Sequence, residues 1–160
     1  MSRNTLVISL LVGVAAISAA CRKAPVAPPA SMVGRWEGHA EVAVNWCKAQ
    51  ELPLALTIGE DGAVAGKVGD ATLKNGRVYP NPGGARHGLT LQTKYVIEAA
   101  LDGPLVASEG IKRDEICIPV EVDKDGKLAG AFLTSGTEYG GKETRVFSAG
   151  LRPLTKVSPR

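Results

Sequence analysis

The sequence predicts an all-β domain, an antiparallel up-and-down barrel of eight or nine strands. An apolar residue recurs at every second position through most of the chain, as in strands with one buried face. Turn-forming dipeptides fall between the resulting runs. After the first twenty residues no stretch sustains a helical period.

The first run is Gly34 to Trp46. Its even positions are Trp36, Gly38, Ala40, Val42, Val44 and Trp46, and its odd positions include Arg35, Glu37, His39 and Glu41. Leu52, Leu54, Leu56 and Ile58 alternate in the same way, then Val64, Gly66 and Val68. Leu89, Leu91, Tyr95, Ile97 and Leu101 define the next apolar face, and Ile116, Ile118, Val120 and Val122 the one after it. Leu128, Gly130 and Phe132 continue less cleanly, and Glu143 to Leu154 mixes its phases. Trp46 to Glu51 has room for one helical turn before Pro53.

Asp61-Gly62, Asn75-Gly76, Asp102-Gly103 and Asp125-Gly126 read as two-residue hairpin turns, because these residues tolerate positive φ. Ser135-Gly136 and Gly140-Gly141 mark a further turn. Strands joined so tightly are antiparallel neighbours. Closing them into a barrel removes the exposed edges, whereas a β-sandwich, the alternative, wants longer crossing connections. Trp36, Tyr95, Phe132 and Phe147 are placed to fill the interior, and many other inward positions are Gly, Ala or Val. That composition implies interior space for a small apolar ligand.

The first twenty residues stand apart. Arg3 is followed by a charge-free apolar run, Thr5 to Ile17, and then by Ser18, Ala19 and Ala20. Positive, apolar and small in that order is a secretory signal peptide, too short for a stable membrane span. Ser18-Ala19-Ala20-Cys21 resembles the lipobox of bacterial lipoproteins, with Ser18 where that family prefers Leu. The resemblance implies cleavage before Cys21, lipid attachment to its thiol and acylation of the new N-terminus. More than one acyl chain makes such anchoring durable. Arg22 stands where many lipoproteins retained at the inner membrane carry Asp, which by the same resemblance points to the outer membrane, facing the periplasm. The alternative is ordinary cleavage near Ala20. Residues 21–31, with their run of Pro and Ala, read as a semi-extended tether, 32–155 as the barrel domain and 156–160 as a tail.

Removing residues 1–20 deletes Arg3 alone among the charges, so 18 Lys and Arg face 16 Asp and Glu, a net charge of +2. No basic run exists, and a nucleic-acid partner is not expected. With Cys21 lipidated, Cys47 and Cys117 remain as a pair in an oxidising compartment, which predicts a disulfide; two buried thiols are the alternative. Both lie out of phase with the apolar face of their strands, so the bridge is expected on the polar side of the wall.

Gly34-Arg35-Trp36 at the start of the first strand resembles the calycin-type barrels, the lipocalins, fatty-acid-binding proteins and avidins. In those barrels the Trp closes the floor and a basic residue of the last strand packs over it. The resemblance implies a barrel, with Arg145 or Arg152 as that partner.

Chemistry is sparsely signalled. His39 and His87 are the only histidines. His39 shares a polar strand face with Glu37 and Glu41, but three or four convergent ligands at metal-binding spacing are missing, so no metal and no cofactor are expected. Asp123-Lys124-Asp125-Gly126 lacks the distal bidentate Glu of a calcium loop and reads as a turn. No nucleophile motif stands in the chain, and no enzymatic activity is expected. The long connection Tyr79 to Gly88, with Tyr79, Arg86 and His87, is the candidate binding loop. These readings converge on a non-catalytic envelope lipoprotein that binds a small apolar ligand in its barrel. The alternative is a periplasmic module that binds or inhibits a protein partner.

Overall fold

In the computed structural model, residues 24–81, 85–86, 89–90, 92–138, 143–144 and 147–158 are described. The strands in chain order are β1 (Gly34–Val42), β2 (Glu51–Ile58), β3 (Ala63–Val68), β4 (Ala71–Pro80), β5 (Ala85–Arg86), β6 (Leu89–Thr90) and β7 (Tyr95–Asp102). There follow β8 (Pro104–Val106), a 3-10 turn (Ala107–Glu109), β9 (Ile111–Lys112), β10 (Glu115–Val122), β11 (Leu128–Ser135), β12 (Thr137–Glu138), β13 (Glu143–Thr144) and β14 (Phe147–Val157).

Eight of these close the expected barrel in the order β1-β2-β3-β4-β7-β10-β11-β14, with β14 returning antiparallel to β1. The short strands form three satellite hairpins, β5 with β6, β8 with β9 and β12 with β13. The strands rise and fall alternately, so the barrel has two distinct ends. The lower end holds the start of β1 and the turns at 59–62 and 123–127. The upper end holds the 43–50 loop, the Gly69-Asp70 turn and the β8–β9 hairpin.

Alternation fixes what points inward. In β2, Leu52, Leu54, Leu56 and Ile58 are buried while the residues between them are not. Across the wall, Trp36, Leu56, Val68, Val78, Ile97, Ile118, Val120, Leu128, Phe132 and Leu154 have no exposed surface at all and join one contiguous cluster. The interior is therefore filled chiefly by Leu and Ile around Trp36 and Phe132, not left open by small residues. An eight-stranded barrel is just wide enough for its own side chains to do this.

Asn75-Gly76, read as a turn, lies inside β4 as a bulge. The pairing of β4 shifts by one residue there on both sides, against β3 and against β7, and Asn75 takes φ 53°. Positive φ suits a bulge as well as a hairpin turn, so the dipeptide alone does not separate them. The real β3–β4 turn is Gly69-Asp70. A second bulge explains the mixed phase of β14. Its register against both β1 and β11 slips between Leu151 and Leu154, which lets both leucines face inward three positions apart. Pro153, with no N–H for a ladder, sits in that slip. β14 runs to Val157, two residues past the expected end of the domain.

The segment read as a tether is also part of the folded body from Val26 onward. β4 extends beyond the end of β3, and its open edge is satisfied locally: Val78 N–H donates to Gly62 O at 2.9 Å, and Val26 N–H donates to Val78 O at 3.2 Å. Pro28 and Met32 are buried, and a tight turn runs from Pro29 to Met32, whose N–H donates to Pro29 O. The strap thus reaches from the start of β1 to β4, three strands away.

Candidate functional site

Each end of the barrel carries a built closure. At the lower end, Trp36 Nε1 donates to Met32 O at 2.8 Å, fixing the strap under the indole. Lys156 lies over the same ring, its Nζ 5.4 Å from the centroid, and donates to Ser31 O at 3.2 Å. Trp36 and Lys156 are direct partners across β1 and β14. The basic residue over the tryptophan is therefore Lys156. Arg152 instead sits on the outer wall, paired with Glu41 and 3.5 Å from Glu51, because the β14 bulge breaks the phase it would share with Lys156. Arg145 lies outside the described residues. Beside Lys156, a groove of about 930 Å³ opens at the rim, lined by Val33, Arg35, Glu37, Thr57 and Ser158 among others.

At the upper end, β8 and β9 fold over the barrel as a lid. Leu105 is fully buried and Val106 nearly so. The Gly69-Asp70 turn holds the lid's first strand. Asp70 N–H donates to Leu105 O at 3.1 Å, and Asp70 Oδ2 accepts from Ala107 N–H at 2.8 Å. Glu109, at the end of the 3-10 turn, latches the 43–50 loop by accepting from the N–H groups of Lys48 at 2.8 Å and Ala49 at 2.7 Å. The Cys47 thiol lies within reach of both Ala49 O (3.6 Å) and Glu109 Oε1 (3.8 Å). Next to the lid, the buried Arg113 donates from Nε to Thr134 Oγ1 at 2.7 Å, and its guanidinium lies 6.0 Å from the Trp46 ring centroid.

Those contacts set the local charge states. The Lys48 amide is the main cause holding the Glu109 carboxyl below its ordinary range, with the Ala49 amide adding to it. Burial pushes the Cys47 thiol up, so it stays protonated at neutral pH. A carboxylate with a lowered value stabilises the fold above its unfolded value, and that contribution is lost as pH falls through the lowered one. The lid latch should loosen under acid for this reason. Glu109→Gln should mimic acid at pH 7, giving faster amide exchange at Lys48, Ala49 and residues 104–112 with the rest of the barrel unchanged. Unaltered protection there would remove the latch.

The expected site residues are dispersed. Tyr79 packs on the outer wall against Val96, Cys117 and Leu133, away from the interior. The side chain of Arg86, and His87 altogether, lie outside the described residues, as does Cys21. His39 is exposed on the outer wall beside a shallow groove of about 400 Å³ shared with Pro53 and Lys67. Among the described residues no group of three His, Cys, Asp or Glu side chains is placed to hold a metal ion. In the 123–127 turn, Asp123 Oδ1 accepts from the N–H groups of Asp125 and Lys127, both at 2.9 Å, which is the turn chemistry read from the sequence.

Cys47 and Cys117 form no disulfide in the structure. Cys117 points to the outer wall, as its phase requires, between Glu98 and Leu133. Cys47 does not join it there. The turn at Asn45-Trp46 swings Cys47 back onto the interior cluster, so the two thiols occupy different sides of the wall. Non-reduced peptide mapping of the native protein should recover both cysteines unbridged, and a Cys47–Cys117 peptide would show that this loop can rearrange.

No helix of the described residues is long and apolar enough to cross a membrane. No protein-family model, curated protein or solved structure matches the chain.

Proposed function

We propose that this is a non-catalytic lipoprotein of the bacterial envelope, anchored through Cys21, whose barrel is a solid scaffold presenting its upper loops to a protein partner. The observation that carries the choice of partner over ligand is the packing of the interior. A void able to admit a ligand would leave its lining residues with surface open to it. Trp36, Leu56, Val78, Ile97, Ile118, Val120 and Phe132, at successive levels of the barrel, have none. Loops held by a rigid frame are the usual carriers of recognition, and the upper end carries both the 43–50 loop and the lid connection 103–114. The export signal and lipobox support the envelope location, with the outer membrane as destination.

Photo-cross-linking in intact cells tests the reading. Cross-linkers at Lys48 and Ser108, both exposed on the upper loops, should capture the same protein, and one at Lys124 on the lower turn should not. Native mass spectrometry of the envelope-purified protein should give the mass of the processed, acylated chain alone. A stoichiometric co-purified apolar molecule would overturn the solid-scaffold reading in favour of a ligand carrier.

A further inference from the structure

We infer that the barrel stands on its own bilayer by its lower end, held there by the Val26 strap, with the lid end directed away from the lipid. The inference rests on the lipid-anchor reading of Cys21 and on the strap geometry described above.

The decisive quantity is reach. Were the whole segment from Cys21 to Gly34 free, its thirteen residue steps could extend to about 47 Å, enough to let the barrel turn any face to the membrane. The strap is not free. Val26 is hydrogen-bonded to the edge of β4, and a side chain at Gly62 would meet Val26 O at 2.5 Å, so the strap lies flush on the 59–62 turn. Five steps remain between Cys21 and Val26, an extended reach of about 18 Å.

An inverted barrel would use up all of that reach before the lid is counted. From Val78, where the strap is fixed, to Ala71 at the upper end of β4 is seven residues, about 23 Å of strand and about 18 Å along the axis of a barrel with ~40° tilt. The lid projects further still. Inversion would need the connecting segment fully extended along the outer wall and the lid inside the headgroups. Among the described residues, charge does not compete with this constraint: the exposed cations of the lower end, Arg35, Lys94, Lys124, Lys127 and Lys156, stand among a similar number of acids, including Glu60, Asp61, Glu121 and Asp125. The orientation should therefore persist at high salt, unlike a dock made by a basic patch.

The test uses full-length, acylated protein in vesicles of phosphatidylethanolamine and phosphatidylglycerol bearing a headgroup acceptor dye. A donor is placed by an unnatural amino acid at Lys124 (lower turn) or at Ser108 (lid). Energy transfer should be clearly stronger from position 124, in low and high salt alike. Inserting about ten Gly and Ser residues between Lys23 and Ala24 adds a flexible span of roughly 17 Å without touching the barrel, and should shrink the difference between the two donors. Equal transfer in the unmodified protein, or stronger transfer from Ser108, would overturn the orientation while leaving the anchor intact. Cys21→Ser should leave the vesicles altogether, and protein that stayed bound would overturn the anchor reading and the orientation with it.

Discussion

Trp36→Ala is expected to destabilise the barrel by about 3–5 kcal/mol, the range for removing a large buried aromatic side chain. The indole has no exposed surface and lies at the lower end of the interior cluster, where its loss cannot be filled from solvent without wetting Leu56 and Leu154. Two further contacts go with it. Met32 O loses the Nε1 donor, and the strap loses the ring it packs against. Lys156 loses its aromatic partner, but it is exposed, and a cation over a ring at such a site contributes only about 0.5–1 kcal/mol. Lys156→Met should thus be mild where Trp36→Ala is severe. Urea unfolding of both variants separates the two contributions, and a Trp36→Ala loss below that of Lys156→Met would mean that the indole is not a keystone of the lower end.

Much of this architecture was legible because β-periodicity is short-range. The four inward residues of β2 announce their face within eight positions, and Asp125-Gly126 announces a turn on its own. Legibility fails where the determining contact is distant or the pattern has more than one cause. Glu109 binds amides some sixty positions earlier in the chain, and nothing adjacent to it in sequence points there. Leu105 and Val106 lie in a strand of three residues, too short for any period, yet they close the upper end. Ile116 to Val120 are buried on both faces, because the outer wall is also covered at Cys117, so alternation there reports less than it does in β2. The basic partner of Trp36 was legible as a type but not as a position, since one extra residue in β14 exchanges which residues face inward. The same kind of slip turned Asn75-Gly76 from a turn into a bulge.

The filled interior bears on function through the strap and the lid together. Each closure is a short segment held by a few backbone hydrogen bonds and a pair of buried apolar residues, Pro28 and Met32 in the strap and Leu105 and Val106 in the lid, and such local units open below the free energy of global unfolding. The strands between them carry most of the fully buried residues and should exchange last. The proposed partner, gripping the lid, would therefore meet a locally held segment on a well-packed frame.

Gly66→Ala should cost about 2–6 kcal/mol, comparable with the loss of Trp36, although it adds only a methyl group. Gly66 has φ +144°, a conformation that L side chains rarely adopt, and such strain costs on the order of 1–3 kcal/mol. A Cβ built there would also overlap the Ala55 carbonyl oxygen, a backbone atom that cannot rotate away. Relieving that overlap means separating β2 from β3, and forced repacking of this kind costs about 1–3 kcal/mol more. The position matters to the core as well. Trp36, Leu56 and Gly66 are successive partners across β1, β2 and β3, so the largest and the smallest inward residues share one row of the wall. Gly150→Ala is the matched control: it lies in β14, nothing stands within 4 Å of its Cβ position, and its φ is outside the positive range. That variant should stay within about 0.5 kcal/mol of the parent, as surface substitutions generally do. If thermal and urea unfolding place Gly66→Ala beside Gly150→Ala, the close approach of β2 and β3 at this point does not exist in solution, and with it falls the reason for glycine in the row that holds Trp36.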